Sequence, residues 1–136
     1  MRSNGLERHL LRARDLIDAR YADPLDVPAI ARRAHASPAH FSRRFKATFG
    51  ETPHQYLLTR RIERAKHLLR ETDRSVTEIS LDVGFQSLGS FSSKFKALVG
   101  GNPTEYRRRE RGLPPVPTCV MMAWTRPRGR AVLEKT

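Results

Sequence analysis

The sequence predicts an all-α fold: a seven-helix domain in which two helix-turn-helix units are joined by a long linker helix. Three observations carry this expectation. Apolar residues recur at helical spacing in segment after segment. Cap-like residues (Asp, Ser, Asn) or Pro stand at the head of most of these segments, and Gly stands at several of their ends. The stretch at residues 37–50 also returns at 87–100. Two copies are too few for a solenoid, which needs about three repeats, so they read as a pair of similar subdomains.

The repeat pairs Phe41 with Phe91, Phe45 with Phe95, Lys46-Ala47 with Lys96-Ala97, Gly50 with Gly100, Pro53 with Pro103 and Tyr56 with Tyr106. Upstream, Val27 matches Val76 and Ile30 matches Ile79, one residue out of step. The second copy therefore has one extra residue in its turn.

Leu6, Leu10, Ala13, Ile17 and Tyr21 place an amphipathic helix over residues 5–21, closed by Asp23-Pro24. Asp26 then caps a helix from Val27 to about Ala34, with Ile30 and Ala31 inward. The turn His35-Ala36-Ser37 leads into the next helix so tightly that the pair makes a helix-turn-helix. At Ser37-Pro38 a serine oxygen can accept from the first free N–H groups, and proline loses nothing by lacking its own. Phe41, Phe45 and Phe49 (or Thr48 in place of the last) share one face, leaving Ala39, Ser42, Arg43 and Lys46 pointing away. Gly50 ends this helix of about three turns. Its outward face is small, basic and hydrogen-bonding, which suits a DNA major groove.

Thr52-Pro53 opens the longest helix, reaching about Glu71, a rod of roughly 28 Å at 1.5 Å per residue. Its expected inner stripe is Leu58, Ile62, Ala65 and Leu69, widened by Leu57 and Leu68; Arg60, Arg64 and Arg70 face outward against Glu63 and Glu71. Ser75 caps a helix from Val76 to Val83 with Ile79 and Val83 inward, and Gly84 sits in the turn, where a positive φ suits it. The second outward-facing helix starts from Ser87. Asn102-Pro103 opens the last helix, through Tyr106 to about Arg111. The expected organisation is a tandem domain over 5–111: a first unit over about 5–52, the linker helix over about 53–71, and a second unit over about 75–111. A basic, proline-containing tail follows over 112–136, in which the apolar patch Val120–Trp124 either folds back or serves a partner.

Net charge is +12, and its placement is informative. Residues 1–106 hold 18 basic and 12 acidic side chains, against 8 and 2 in residues 107–136. No acid lies between Asp26 and Glu51 or between Asp82 and Glu105, and these windows hold the two repeated helices. A polyanion facing both windows accounts for that. The single cysteine, Cys119, excludes an internal disulfide and offers no metal spacing. His9, His35, His40, His54 and His67 show no metal-ligand spacing, and the serines near residue 90 have no neighbouring base. No metal, cofactor or enzymatic chemistry is expected. The longest apolar run, Cys119 to Trp124, is too short to span a membrane, and a cytoplasmic location at the nucleoid is expected.

Placed together, Phe41-Ser-Arg-Arg-Phe-Lys with Gly50, Arg61-Ile-Glu-Arg-Ala65 with Leu68-Leu69, Ile79-Ser-Leu-Asp-Val-Gly84-Phe85, Phe91-Ser-Ser-Lys-Phe95-Lys with Gly100, and Pro103-Thr-Glu-Tyr106-Arg107 resemble the DNA-binding domain of the AraC/XylS family of bacterial transcription regulators. The resemblance covers about residues 6–109. It implies a recognition helix from each unit in one of two successive major grooves of double-stranded DNA. The implied base-reading positions are Ala39, Ser42 and Arg43 in the first unit, and Leu88, Gly89, Ser92 and Ser93 in the second. Ser37, Arg44, Lys46, Ser87, Lys94 and Lys96 are the corresponding phosphate contacts. The family habit points to an activator, with RNA polymerase as a further partner. A chain this short is expected to act without an effector-sensing domain, as a stand-alone member bound to DNA as a monomer. A non-specific architectural DNA binder and a protein-interaction module are the competing readings.

Overall fold

The computed structural model describes residues 2–113. Among them it contains seven helices and no strand: α1 (Arg2–Arg20), α2 (Val27–Arg33), α3 (Pro38–Phe49), α4 (Pro53–Glu71), α5 (Val76–Asp82), α6 (Leu88–Val99) and α7 (Pro103–Glu110). Cys119, the patch Val120–Trp124 and most of the expected tail lie outside the described residues. The chain divides into two compact units between Arg61 and Ile62, inside α4, so the helix read as a linker contributes to both.

The first unit holds α1, α2, α3 and the start of α4. Its core is Leu10, Ala13, Ile17, Ala31, Phe41, Phe45 and Leu57, with Leu6, Tyr21, Ile30, Phe49 and Tyr56 packed against it. Of the inward residues expected of α1, Leu10, Ala13 and Ile17 are buried, and Leu6 and Tyr21 are half-buried against them. The Phe45 ring meets Phe49 and Tyr56 at 4.6 and 5.8 Å between centroids, both edge-on, the geometry favoured by aromatic quadrupoles. The Tyr56 hydroxyl donates to Asp18 Oδ1 at 2.8 Å, tying α4 to α1.

The second unit repeats the plan with the end of α4, α5, α6 and α7. Phe91, Phe95, Ile79 and Val83 are fully buried, and Phe95 stands edge-on to Tyr106 at 5.5 Å. Here the tyrosine hydroxyl accepts from Arg70 Nη1 at 2.7 Å. The same phenol position therefore tethers the long helix in both units, through an acid in one and a base in the other.

Two expectations for α4 need correction. Leu57, at 4% exposure, is the buried leucine, and Leu58 is only half-buried. A single stripe does not hold because α4 serves two cores: Leu57 belongs to the first, while Ile62, Ala65 and Leu69 fall in the second unit. Arg60 and Arg70 are also not free outward charges. Arg60 Nε lies 3.2 Å from Asp18 Oδ1, and Arg70 holds Tyr106.

Candidate nucleic-acid interface

Each unit presents one capped helix whose inner face is aromatic. In α3 the Ser37 oxygen accepts from His40 N at 3.1 Å and Pro38 opens the first turn. In α6 the Ser87 oxygen accepts from Ser90 N at 3.1 Å. Both helices end on a left-handed glycine, Gly50 at φ 86° and Gly100 at φ 96°, whose N–H groups donate to Lys46 O and Lys96 O. That backbone favours a residue without Cβ. Matched caps and stops give two helices of equal length, and from their second residue on their exposure runs in the same order.

The predicted contact residues distribute as follows. Ala39, Arg43 and Lys46 are exposed on α3, with Ser42 and Arg44 half-buried beside them. On α6, Gly89, Ser93 and Lys96 are exposed and Leu88, Ser92 and Lys94 are half-buried. Each of these positions is thus at least partly open to solvent. Among the described residues no ion pair or hydrogen bond engages the charged ends of Arg43, Arg44, Lys46, Lys94 or Lys96. Ser37 and Ser87 stand exposed at the helix starts, but their oxygens already serve as caps, and Ser87 Oγ also donates to Ser90 Oγ at 3.0 Å. Gly89 lies in helical backbone with nothing within 4 Å of where a Cβ would be, so packing places no demand for glycine there.

The turns between paired helices differ in length by one residue and also at one matched position. Gly84 has φ 104°, and its counterpart in the first unit, His35, reaches φ 57° with a side chain attached. Sequence reasoning placed His35 in a turn without seeing this. Nor did it see that three histidines, His9, His35 and His40, meet around an open groove of about 340 Å³ also lined by Gly5, Leu6, Ala34 and Ala36. Among the described residues no group of three or more ligating side chains could hold a metal ion.

Two further arginines carried sequence signal but no assigned role. Arg61 donates to Tyr21 O at 2.6 Å and Asp23 O at 2.9 Å. Arg107, 4% exposed, donates to Leu69 O, Thr72 O and Arg74 O at 3.0, 3.2 and 2.6 Å. Burial pushes both guanidinium groups below the ordinary arginine range. Both satisfy carbonyls in the last turn of a helix or just beyond it, where intrahelical N–H partners run out. They stabilise the fold and leave the outer surface to other cations.

Two tandem helix-turn-helix units with such outer surfaces define a DNA-binding domain of the helix-turn-helix class. A model of a helix-turn-helix domain family matches residues 30–109, and the chain belongs to the AraC-type family of these domains. This family consists of DNA-binding regulator domains and is non-enzymatic. The HTH-type transcriptional regulator ArgR of Pseudomonas aeruginosa is 35% identical over 97 residues, covering 71% of this chain and 30% of its own. The HTH-type transcriptional activator RhaS of Escherichia fergusonii is 36% identical over 92 residues, covering 68% and 33%. The chain thus spans about a third of the length of these curated relatives. Among solved structures, the DNA-binding domain of AdpA, a global transcriptional factor in complex with a target DNA, matches with TM-score 0.70 at 32% identity, over 76% of this chain and 93% of that one. A transcriptional regulator from Chromobacterium violaceum matches with TM-score 0.67 at 33% identity, over 79% and 96%. No helix among the described residues is long and apolar enough to cross a membrane.

Proposed function

We propose that this chain is a sequence-specific regulator of transcription that binds double-stranded DNA with α3 and α6 in two successive major grooves. The carrying observation is the outer surface of α3 and α6: Arg43, Lys46, Ser93 and Lys96 are exposed, and no neighbouring acid among the described residues neutralises Arg43, Lys46 or Lys96. Phosphate attraction supplies affinity without sequence choice, and base-edge contacts supply the choice. Arg43 is the one long hydrogen-bonding group among the proposed base-reading positions, whereas Leu88, Gly89, Ser92 and Ser93 offer an apolar contact and short side chains. The first unit therefore selects sequence, and the second chiefly grips phosphate through Lys94 and Lys96. Since one chain carries two reading helices, it acts as a monomer on DNA. Activation through RNA polymerase is the proposed outcome, in keeping with the activator named among its relatives.

Selection of bound sites from a random duplex pool tests this reading. A single enriched motif with two half-sites about one helical turn apart is expected. A pool that stays unenriched, with steep salt dependence, would instead identify an architectural DNA binder.

A further inference from the structure

The paired helices of the two helix-turn-helix units correspond, but their charge differs at the end of the first helix. In the structure, as in the sequence, α2 aligns with α5 at a shift of 49 residues. The caps Asp26 and Ser75 correspond, as do the fully buried Ala31 and Ser80 and the left-handed turn residues His35 and Gly84. The turn bonds correspond as well: Ala36 N donates to Ala31 O, and Phe85 N to Ser80 O. This register sets Arg32 against Leu81 and Arg33 against Asp82. Arg32 and Arg33 are exposed, and no acid pairs with either among the described residues. At the matching turn Leu81 is 56% exposed, and Asp82 is held by Arg74 at 2.5 Å.

Residues 26–50 consequently carry Arg32, Arg33, Arg43, Arg44 and Lys46 against Asp26 alone, whereas residues 75–100 carry Lys94 and Lys96 against Glu78 and Asp82. In a docked helix-turn-helix the first helix crosses the phosphate backbone while the second lies in the groove. We infer that the last turn of α2, through Arg32 and Arg33, is a phosphate-gripping site that anchors the first unit on DNA, and that the second unit lacks it. The inference rests on the DNA-binding reading above. The competing role for the two arginines is stabilisation of the α2 C-terminal dipole, which would act on folding and not on DNA.

The test measures binding of the full chain to its selected duplex and to an unrelated duplex from low to moderate salt. Arg32→Gln with Arg33→Gln should lower the slope of log affinity against log salt by about two on both duplexes, at about 0.9 per lost phosphate contact. Their ranking and the melting temperature should stay unchanged. The reciprocal variant, Leu81→Arg with Asp82→Arg, should raise the slope by about two, with Leu81→Arg alone as its substitute if the pair does not fold. An unchanged slope in the first variant, while the unsubstituted chain binds with steep salt dependence, overturns the inference and leaves DNA binding standing. A fall in melting temperature with the slope intact also overturns it, in favour of the dipole role. Absence of salt-dependent duplex binding by the unsubstituted chain overturns the DNA-binding reading itself.

Discussion

Arg43 and His35 show how much can depend on one position. Arg43 is exposed on α3, and an arginine that meets a guanine edge through two hydrogen bonds discriminates by about 1–3 kcal/mol. Arg43→Ala should therefore flatten preference at one base pair in the first half-site, and Ser93→Ala should change little. A base-by-base scan of the bound site with each variant checks this; an unaltered ranking of sites in Arg43→Ala would make Arg43 a phosphate contact. His35 holds a left-handed backbone at φ 57° that its counterpart adopts as glycine. Such a conformation costs a residue with a Cβ about 1 kcal/mol or more, partly offset because glycine gains freedom in the unfolded chain. His35→Gly should then stabilise the first unit by up to about 1 kcal/mol in urea unfolding. Lower stability would show that the imidazole contributes packing along the groove it shares with Leu6, His9 and His40.

Caps and carbonyl clamps decide where the short helices begin and end. At α5 the Ser75 oxygen accepts from Glu78 N at 3.0 Å, and Glu78 Oε1 accepts from Ser75 N at 3.1 Å. The two bonds form a reciprocal box that satisfies two otherwise free donors. The backbone bond from Ser75 holds the Glu78 carboxyl below the ordinary carboxylate range. A depressed carboxyl contributes stability that is complete above its unfolded value and is lost as pH falls through its folded value. The stability gap between the unsubstituted chain and Glu78→Gln should therefore be present at neutral pH and close in acid, as read by melting temperature against pH. Arg107 works at the C-terminal end of α4, where it donates to three carbonyls, of which Thr72 O is also reached by the Arg111 guanidinium. Arg107→Ala should cost about 2–3 kcal/mol in urea unfolding. Arg107→Lys should rescue little, because an ammonium cannot fork. Arg64→Ala, at an exposed position on the same helix, should stay within about 0.5 kcal/mol.

The proposed reading of two grooves by one chain requires that α3 and α6 keep a fixed phase. α4 is continuous for 19 residues, so any rotation built into it is passed on. Inserting two residues after Arg64 turns the second half of the helix by about 200° relative to the first. Binding to a two-half-site duplex should fall to that of a single half-site, with circular dichroism confirming that helix content is kept. Full affinity in the insertion variant would mean that one unit carries all of the recognition.

The seven helices and the caps of the short ones were legible in the amino-acid sequence, because each depends on local rules. The phenylalanines of α3 and α6 recur every four residues, Ser37 and Ser87 stand before them, and Gly50 and Gly100 stand after them. Such features act within a turn or two of chain, and the repeat stated each of them twice. What could not be read locally was which surface a residue meets after folding. Leu57 is buried and Leu58 half-buried because the first turns of α4 serve one core and its later turns another. Arg61 and Arg107 stand in motifs of the sequence, but their role emerges only when Tyr21, Asp23 and Leu69, 38–40 residues away, bring carbonyls to them. The same holds for His9, His35 and His40, which come from α1, a turn and α3 and meet only in three dimensions. Periodicity fixes a residue's direction from its own helix axis, but the partner waiting in that direction comes from distant chain, and only tertiary packing places it.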